Sequence, residues 1–379
     1  MAYVEELGNG KHKIYVDMGY VRGKRVRRTK TITATSNRDL NRKVREFELK
    51  CMQEEDEPID NISFGGFVQK WMDNHVKANL KYTSYEAYDY LLHHTGILDY
   101  FGKMKLKDMK RFHIVEYLAK EEREGKPLIP NKFMVLKSIF QKAVEWEVIK
   151  DNPTANIKEP KRNKKKVGFY TEDELNHLFE VLEECYPKHR IMIKLAAIGG
   201  LRRAEIAGIR EENINYEENY IYVDKQLRYK KETKEFYLAP VKNNKPRKVF
   251  LPEKFMKELK KYHTDFKKRR LVIGNEWKGI YDDDGEMINL LFVKEDGYPT
   301  HINSIGNEWR KIINRHNLKS ITFHQLRHSC ASLMVKKGVN FKVIQERLGH
   351  ANIGITLDLY SHLEEEQHIE SANVFNDIL

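Results

Sequence analysis

The sequence predicts a multidomain α+β protein: a small N-terminal β-sheet plus helix, an all-helical domain, and a mainly helical domain with a small antiparallel sheet. Residues 11–33 alternate with a period of two, whereas residues 62–153 repeat apolar side chains at helical spacing. Two stretches without periodicity, one acidic and one rich in lysine and proline, separate the segments. We therefore predict domains at residues 1–55, 61–155 and 169–379, with a linker at residues 156–168.

Composition bounds the class of protein. The chain has 379 residues, 40% of them hydrophobic, which excludes wholesale disorder, and its formal net charge of +12 favours a polyanionic partner, either nucleic acid or an anionic membrane surface. The three cysteines lie far apart without a CxxC pair, so neither a disulfide framework nor a thiolate zinc site is indicated. Because no long apolar run or signal pattern occurs, we expect a soluble, cytoplasmic protein without a membrane partner.

The N-terminal segment predicts a basic β-hairpin. Alternation over residues 11–17 and 25–33 gives two strands, with a turn between them, and Ser36 or Asn37 can cap the helix that follows. The positive charges of this hairpin fit either a solvated face or a ribbon lying against DNA. The candidate DNA-binding residues are Arg22, Lys24, Arg25, Arg27 and Arg28.

The second segment predicts a compact bundle of about four helices. Phe67, Trp71 and His75 form one stripe, and Thr83 and Glu86 stand in capping-box register. We interpret its aromatic residues as core. The lysine-rich stretch that follows is typical of a charged, extended tether between two globular units. Its candidate DNA-binding residues are Lys161, Arg162, Lys164 and Lys165.

The third segment opens with a capping box in residues 171–174 and contains predicted strands in YIYVD, EFYLAP and PRKVFLP. Five stretches of this segment contain charged or polar side chains flanked by apolar ones: GGLRRAEIAGI, PVKNNKPRKVFLP, FHQLRHS, RLGHANI and TLDLYSH. Taken singly, each also fits a structural role. Arg202 and Glu205 fit a surface ion pair, Lys242 a solvated turn lysine, His350 a helix C-cap and Tyr360 a half-buried aromatic.

The pentapeptide HQLRH has the histidine spacing of a zinc helix. However, Gln325 occupies the position of the glutamate that acts as general base in such enzymes, and it cannot take a proton. Arg327 would also put a fixed positive charge beside the cation, between His324 and His328. We therefore predict no metal and no cofactor.

Phosphate chemistry fits the set better. Arginine binds two phosphate oxygens at once, so two arginines, a lysine and two histidines can balance the charge of a phosphoryl transition state without metal. A tyrosine is then a suitable nucleophile, because its phosphodiester keeps the energy of the broken bond for resealing. The chain lacks a Walker A loop and a dense carboxylate cluster, which disfavours a metal-dependent nuclease.

In this order along the chain, GLRRAE, the lysine before PRKVFLP, HQLRH, LGHANI and TLDLYSH resemble the tyrosine recombinases of the lambda-integrase family. The resemblance implies that Arg202 and Arg327 clamp the scissile phosphate. Tyr360 would attack it, giving a 3′-phosphotyrosyl link and a free 5′-hydroxyl. Lys242, on a β-hairpin between the strands of EFYLAP and PRKVFLP, would protonate the leaving oxygen. The two upstream segments resemble, more loosely, the core-binding and arm-binding domains of the longer integrases.

The same resemblance assigns supporting roles. His324 would assist proton transfer with the tyrosine, His350 would hydrogen-bond a non-bridging oxygen, and Glu205 would orient the arginines. Gly199 stands where the family often has threonine, and Asn243 follows the lysine where Thr or Ser is common, but neither departure removes a catalytic atom.

We therefore predict a site-specific DNA recombinase (integrase) of a mobile element, with double-stranded DNA at core-type and arm-type sites as its partner. The resemblance also implies a tetramer on DNA, joined by the amphipathic tail at residues 369–378, and accessory proteins such as an excisionase or a DNA-bending protein. Packing of the tail in cis stays open. Two alternatives share the fold: a DNA-binding regulator, and a type IB-like topoisomerase with the same phosphotyrosine chemistry.

Overall fold

The computed structural model describes residues 2–8, 11–21, 24–34, 36–53, 61–161, 168–282 and 284–349. The chain forms two compact units, residues 1–164 and 165–379. No helix within the described ranges is long and apolar enough to cross a membrane.

The first unit begins with a three-stranded antiparallel sheet in the order β1-β2-β3, followed by a helix. Ile14 and Val16 are buried between this sheet and the helix, which explains the alternation in the sequence. The predicted hairpin and helix are confirmed, whereas the first strand was not predicted, because two consecutive glutamates interrupt its alternation. The elements are β1 (Ala2–Gly8), β2 (Lys11–Val21), β3 (Lys24–Thr33) and α1 (Asn37–Gln53).

The rest of the first unit is helical, as predicted. Ser63 caps the first of these helices by accepting from the Gly66 amide at 3.1 Å. Phe67 and Trp71 are buried in a core of aromatic side chains, in agreement with the interpretation from periodicity. The helices are α2 (Phe64–Trp71), which continues through a π-turn (Met72–Val76) into α3 (Lys77–Asn79), α4 (Tyr82–His94), α5 (Ile97–Phe101), α6 (Arg111–Arg123) and α7 (Ile129–Glu145).

One predicted cap in this bundle is wrong. Helix α4 already begins at Tyr82, with Lys81 as its N-cap, so Thr83 lies inside the first turn. A threonine side chain can cap only from the extended residue just before a helix, and here the chain leaves the extended conformation two residues earlier.

The second unit is mainly helical, and its first helix opens with the predicted capping box. The Thr171 hydroxyl accepts from the Glu174 amide at 3.3 Å, and the Glu174 carboxylate accepts from the Thr171 amide at 2.7 Å. The helices are α8 (Glu172–Leu182), α9 (Pro187–Ala197), α10 (Arg203–Ala207), α11 (Glu253–Ile273), α12 (Ile302–Arg315), α13 (Phe323–Lys336) and α14 (Phe341–Leu348).

Three small antiparallel sheets accompany these helices. The first has the order β4-β5-β8, the second pairs β6 with β7, and the third pairs β9 with β10. The three predicted strands correspond to β5, β7 and β8, whereas β6 was missed. The strands are β4 (Ile214–Asn215), β5 (Tyr220–Val223), β6 (Lys225–Lys230), β7 (Glu235–Pro240), β8 (Arg247–Phe250), β9 (Ile280–Tyr281) and β10 (Met287–Ile288).

The placement of Lys242 in a hairpin is corrected by this topology. Strands β7 and β8 belong to different sheets, and the Lys242–Asn244 segment between them forms one turn of 3₁₀-helix. The hairpin partner of β7 is the unpredicted β6, whose Leu227 is fully buried in the core. Lys242 therefore lies on the crossover from one sheet to the next.

A single apolar core joins α8 to α13 with the sheets. Leu195 and Ala196 of α9, Ile221 of β5, Trp309 of α12 and Leu326 of α13 are all at most 1% exposed. Helix α13 packs against α9, so the polar side of α13 is held beside the loop that follows α9. This packing determines where the residues of HQLRH and GLRRAE meet.

Candidate functional site

Helix α13 carries the central residues of the site. It begins with a reciprocal cap in which the Gln325 side chain accepts from the Thr322 amide at 2.5 Å. The glutamine at the position of a zinc-enzyme glutamate therefore has a structural task at the helix start. His324 and Arg327, three residues apart, project from one side of this first turn and the next.

Arg327 is almost fully buried, with 1% of its surface exposed. Its guanidinium donates to the carbonyl of Gly200 at 2.6 Å and to the carbonyl of Leu348. Burial, together with the nearby charge of Arg202, lowers the pKa of Arg327 to about 9, so the guanidinium still carries its charge at neutral pH. The two carbonyls hold this positive charge in a fixed position between the loop after α9 and the end of α14.

Gly200 is the glycine that this contact requires. Its φ is +66°, in the left-handed region, and a Cβ atom there would lie 2.3 Å from Cδ2 of Leu348. The close approach lets the loop after α9 lie against the end of α14, where it presents the carbonyl that accepts from Arg327.

Arg202 and Arg327 donate to neighbouring carbonyls at the end of α14. Arg202 is the N-cap residue of α10. Its guanidinium donates to Oε1 of Glu205 at 2.6 Å and to the carbonyl of Gly349 at 3.1 Å. The carbonyls of residues 348 and 349 thus hold one guanidinium each. The two predicted clamp arginines converge on the C-terminal end of α14, although 125 residues separate them in the chain (327 minus 202).

Glu205 is the anionic centre of this cluster. It is 1% exposed and also accepts from the Arg202 amide at 2.9 Å. Burial raises its pKa, but the charges and hydrogen bonds of Arg247 and Arg202 outweigh that effect and hold the pKa at about 2. The interpretation of this pair as a surface ion pair is therefore wrong, and its orienting role stays a prediction.

Arg247 is the residue that sequence reasoning missed. It is the first residue of β8, and its guanidinium contacts Oε2 of Glu205 at 2.9 Å and Oε1 at 3.3 Å. A signal was available in PRKVFLP, since strand alternation puts Arg247 on the same face as the buried Val249 and Leu251. A buried arginine requires hydrogen-bond acceptors, and a carboxylate is the strongest acceptor among the side chains.

His324 and His328 lie edge to face, with ring centroids 5.1 Å apart. Loss of hydration of the imidazole, together with the charges of His328, Arg327 and Arg202, lowers the pKa of His324 to about 4. Burial also lowers the pKa of His328, and its Nδ1 has no hydrogen-bond partner among the described residues. Both rings are therefore neutral at pH 7. The described part of the chain contains no group of three side chains that could hold a metal ion.

Lys242 is exposed on its 3₁₀ turn. It lines a cavity of about 580 Å³, whose wall also includes Arg247, Lys342 and Gly349. The predicted proton donor therefore opens onto a basic cavity that reaches the end of α14, close to the partners of Arg202.

The structure describes only some of the other predicted site residues. Lys161 is exposed, and four of the basic hairpin residues lie on strand β3. Those four are Lys24, Arg25, Arg27 and Arg28. The predicted site residues outside the described ranges are His350, Tyr360, Arg22, Arg162, Lys164 and Lys165. The predicted tail at residues 369–378 also lies outside them.

Comparison with known proteins gives two family matches. Residues 169–367 match the family described as Phage integrase family, and residues 63–121 match the one described as Phage integrase, N-terminal SAM-like domain. The ICEBs1 integrase of Bacillus subtilis is 24% identical over 384 residues, which cover 99% of this chain and 100% of that protein. A XerC-like tyrosine recombinase of Caldanaerobacter subterraneus is 24% identical, with 84% of each chain covered.

Solved structures share the fold. The Tn1549 transposon integrase in complex with circular intermediate DNA aligns with a TM-score of 0.65 at 21% identity, over 79% of this chain and 96% of that one. A lambda integrase tetramer bound to a Holliday junction aligns with a TM-score of 0.57 at 16% identity, over 94% of each chain.

Proposed function

The chain belongs to the phage integrase family and is a tyrosine recombinase, and on that premise we propose how its residues cut and rejoin DNA strands. The observation that carries the proposal is the pair of guanidinium groups, Arg202 and Arg327, held on the last carbonyls of α14, directly before His350. Two cations held in place on the backbone just before His350 suit the binding of a phosphodiester.

In the cleavage step, the Tyr360 oxygen attacks the phosphorus and the bond to the 5′-oxygen breaks. The phenol loses its proton to a base, a role we assign to His324, whose ring is neutral at pH 7 and therefore has an unprotonated nitrogen that can accept the proton. Lys242 donates a proton to the departing 5′-oxygen. A 5′-hydroxyl of another strand later reverses the step, and no ATP is needed.

The arginines stabilise the charge that builds on the non-bridging oxygens. Since Arg327 keeps its charge and its position in a buried site, its field is weakly screened by water. His350 adds a hydrogen bond to the same phosphate. Glu205 holds Arg202 in place, because one carboxylate oxygen accepts from its guanidinium and the other from its amide.

For the whole chain we propose that residues 61–155 and 169–379 act as core-binding and catalytic domains on one duplex. The linker at residues 156–168 would cross the backbone, and residues 1–55 would bind arm-type sites. The Tn1549 and lambda structures on DNA support this arrangement, and the lambda tetramer on a Holliday junction supports a tetramer here. Excisionase-like or DNA-bending partners, and action on DNA in a bacterial cytoplasm, complete the proposal.

The nucleophile is tested with a nicked duplex that carries the candidate core site, taken from DNA adjoining the gene in its host. We expect a covalent protein–DNA adduct with the wild-type chain and none with Tyr360→Phe, while gel-shift binding persists. Tyr281→Phe is the matched control, since Tyr281 is an exposed tyrosine of the same unit. An adduct with Tyr360→Phe would show that another residue attacks.

The acid role of Lys242 needs a separate test. Lys242→Ala should cleave slowly, and a substrate with sulfur at the bridging 5′ position should restore cleavage, because a thiolate leaves without a proton. Lys245→Ala is the control, because Lys245 is exposed in the same connection and lines the same cavity. If sulfur fails to rescue Lys242→Ala while DNA binding is intact, the acid is another residue.

A further inference from the structure

The buried guanidinium of Arg247 connects two parts of the site that lie far apart in sequence. Besides its two contacts to Glu205, its Nε donates to the carbonyl of Arg347 at 2.7 Å. Its side chain is 8% exposed, so these partners use most of its donors. The Arg247 side chain on β8 therefore contacts both the carboxylate that binds Arg202 and the last turn of α14.

The end of α14 is capped by three arginines in succession. The carbonyls of residues 347–349 accept in turn from Arg247, Arg327 and Arg202. The last carbonyls of a helix have no partners within it and carry the negative end of its dipole, so cationic donors suit them. Gly349, with φ of +65°, ends the helix, and a Cβ there would approach Nη1 of Arg247 to 3.0 Å.

These contacts form a closed ring. Arg247 binds Glu205, Glu205 binds Arg202, and Arg202 binds the Gly349 carbonyl. Arg247 also binds the carbonyl of Arg347, two residues earlier at the same helix end. A phosphate that engages Arg202 competes with the Gly349 carbonyl for its donors. The Arg247 contacts do not face that competition, so they can hold Glu205 and the helix end during the exchange.

We propose that Arg247 is a positioning residue for strand cleavage: it keeps Glu205, and through it Arg202, aligned with the phosphate, and it anchors the chain just before His350. This inference rests on the proposed function. Arg247 touches no reacting atom and acts through Glu205 and the end of α14. A displacement of the phosphate-binding group of about 1 Å is enough to slow a positioned reaction about 100-fold.

The test compares single-turnover adduct formation on the nicked duplex, DNA affinity and thermal unfolding for Arg247→Ala, Arg247→Lys and a control. Arg210→Ala is the matched control, because Arg210 also forms a half-buried ion pair in this unit, with Asp224 at 2.6 Å. We expect Arg247→Ala to cleave about 100-fold more slowly at nearly unchanged affinity. Arg247→Lys should be intermediate, since lysine replaces a two-point contact by a single one.

A double-mutant cycle separates positioning from general stabilisation. If Arg247 acts through Glu205, Arg247→Ala should slow cleavage by less than about tenfold once Glu205→Gln is present. Equal slowing in both backgrounds, or equal slowing by Arg210→Ala at a matched loss of thermal stability, overturns the inference. A wild-type rate in Arg247→Ala overturns it and leaves the proposed function intact. Absence of any adduct with the wild-type chain overturns both.

Discussion

The buried carboxylate of Glu205 permits a quantitative prediction. Its pKa of about 2 lies below the ordinary 4.5, so ionised Glu205 stabilises the folded state. By linkage, that difference contributes about 3 kcal/mol at pH 7, at about 1.4 kcal/mol per pKa unit. Because the folded-state pKa is lowered, this contribution is complete above pH 4.5 and is lost as the pH falls through 2. At pH 3 about 1 kcal/mol should remain.

We therefore expect Glu205→Gln, which keeps the shape and removes the charge, to lower the free energy of unfolding by about 3 kcal/mol at pH 7. The measurement is urea unfolding at several pH values, with amide hydrogen exchange in residues 202–208 to assign the transition to the second unit. Glu218→Gln is the control, because its pair with Lys248 at 3.6 Å is exposed and should contribute under about 1 kcal/mol.

Two results would refute the reasoning. One is a destabilisation below about 1 kcal/mol at pH 7, which would mean that the surrounding arginines do not depend on this charge. The other is a difference between wild type and Glu205→Gln that stays constant from pH 7 to pH 3. In that case the loss would come from packing rather than from ionisation.

Three further predictions follow from the same structure. Gly200→Ala should lower the free energy of unfolding by about 2–4 kcal/mol, because it adds backbone strain and steric overlap. Gly285→Ala is the control, since Gly285 also has a positive φ but open space around it, and it should cost only about 1 kcal/mol. Thermal unfolding compares the two variants. His324 should stay neutral at pH 6, so NMR of labelled histidine showing its titration near 6.5 would contradict the assigned environment. Lys132→Ala should lower the free energy of unfolding by about 3–5 kcal/mol, because it leaves the buried carboxylate of Glu121 without its partner. Lys137→Ala, which removes an exposed ion pair, should lower it by less than about 1 kcal/mol, and denaturant unfolding measures both.

Local patterns predicted the elements well where one short-range interaction decides them. The capping box at Thr171 and Glu174, the β2–β3 hairpin and the aromatic core of the helical bundle needed only neighbours within a few residues. The motifs of the site and their order could also be predicted from the sequence, because residue types alone define a set of side chains that can bind phosphate. The prediction for Lys242 was correct as to a turn between strands and wrong as to a hairpin.

The sequence by itself thus determined the fold class and the family, and it predicts which residues form the site. Only the tertiary structure decided that Glu205 is buried, that β6 rather than β8 pairs with β7, and that Arg247 contacts Glu205. The physical reason is burial: periodicity marks apolar faces, but a buried ion pair needs partners from separate elements. Arg247 and Glu205 lie 42 residues apart, and no local pattern links a strand arginine to a helix carboxylate until the core brings them together.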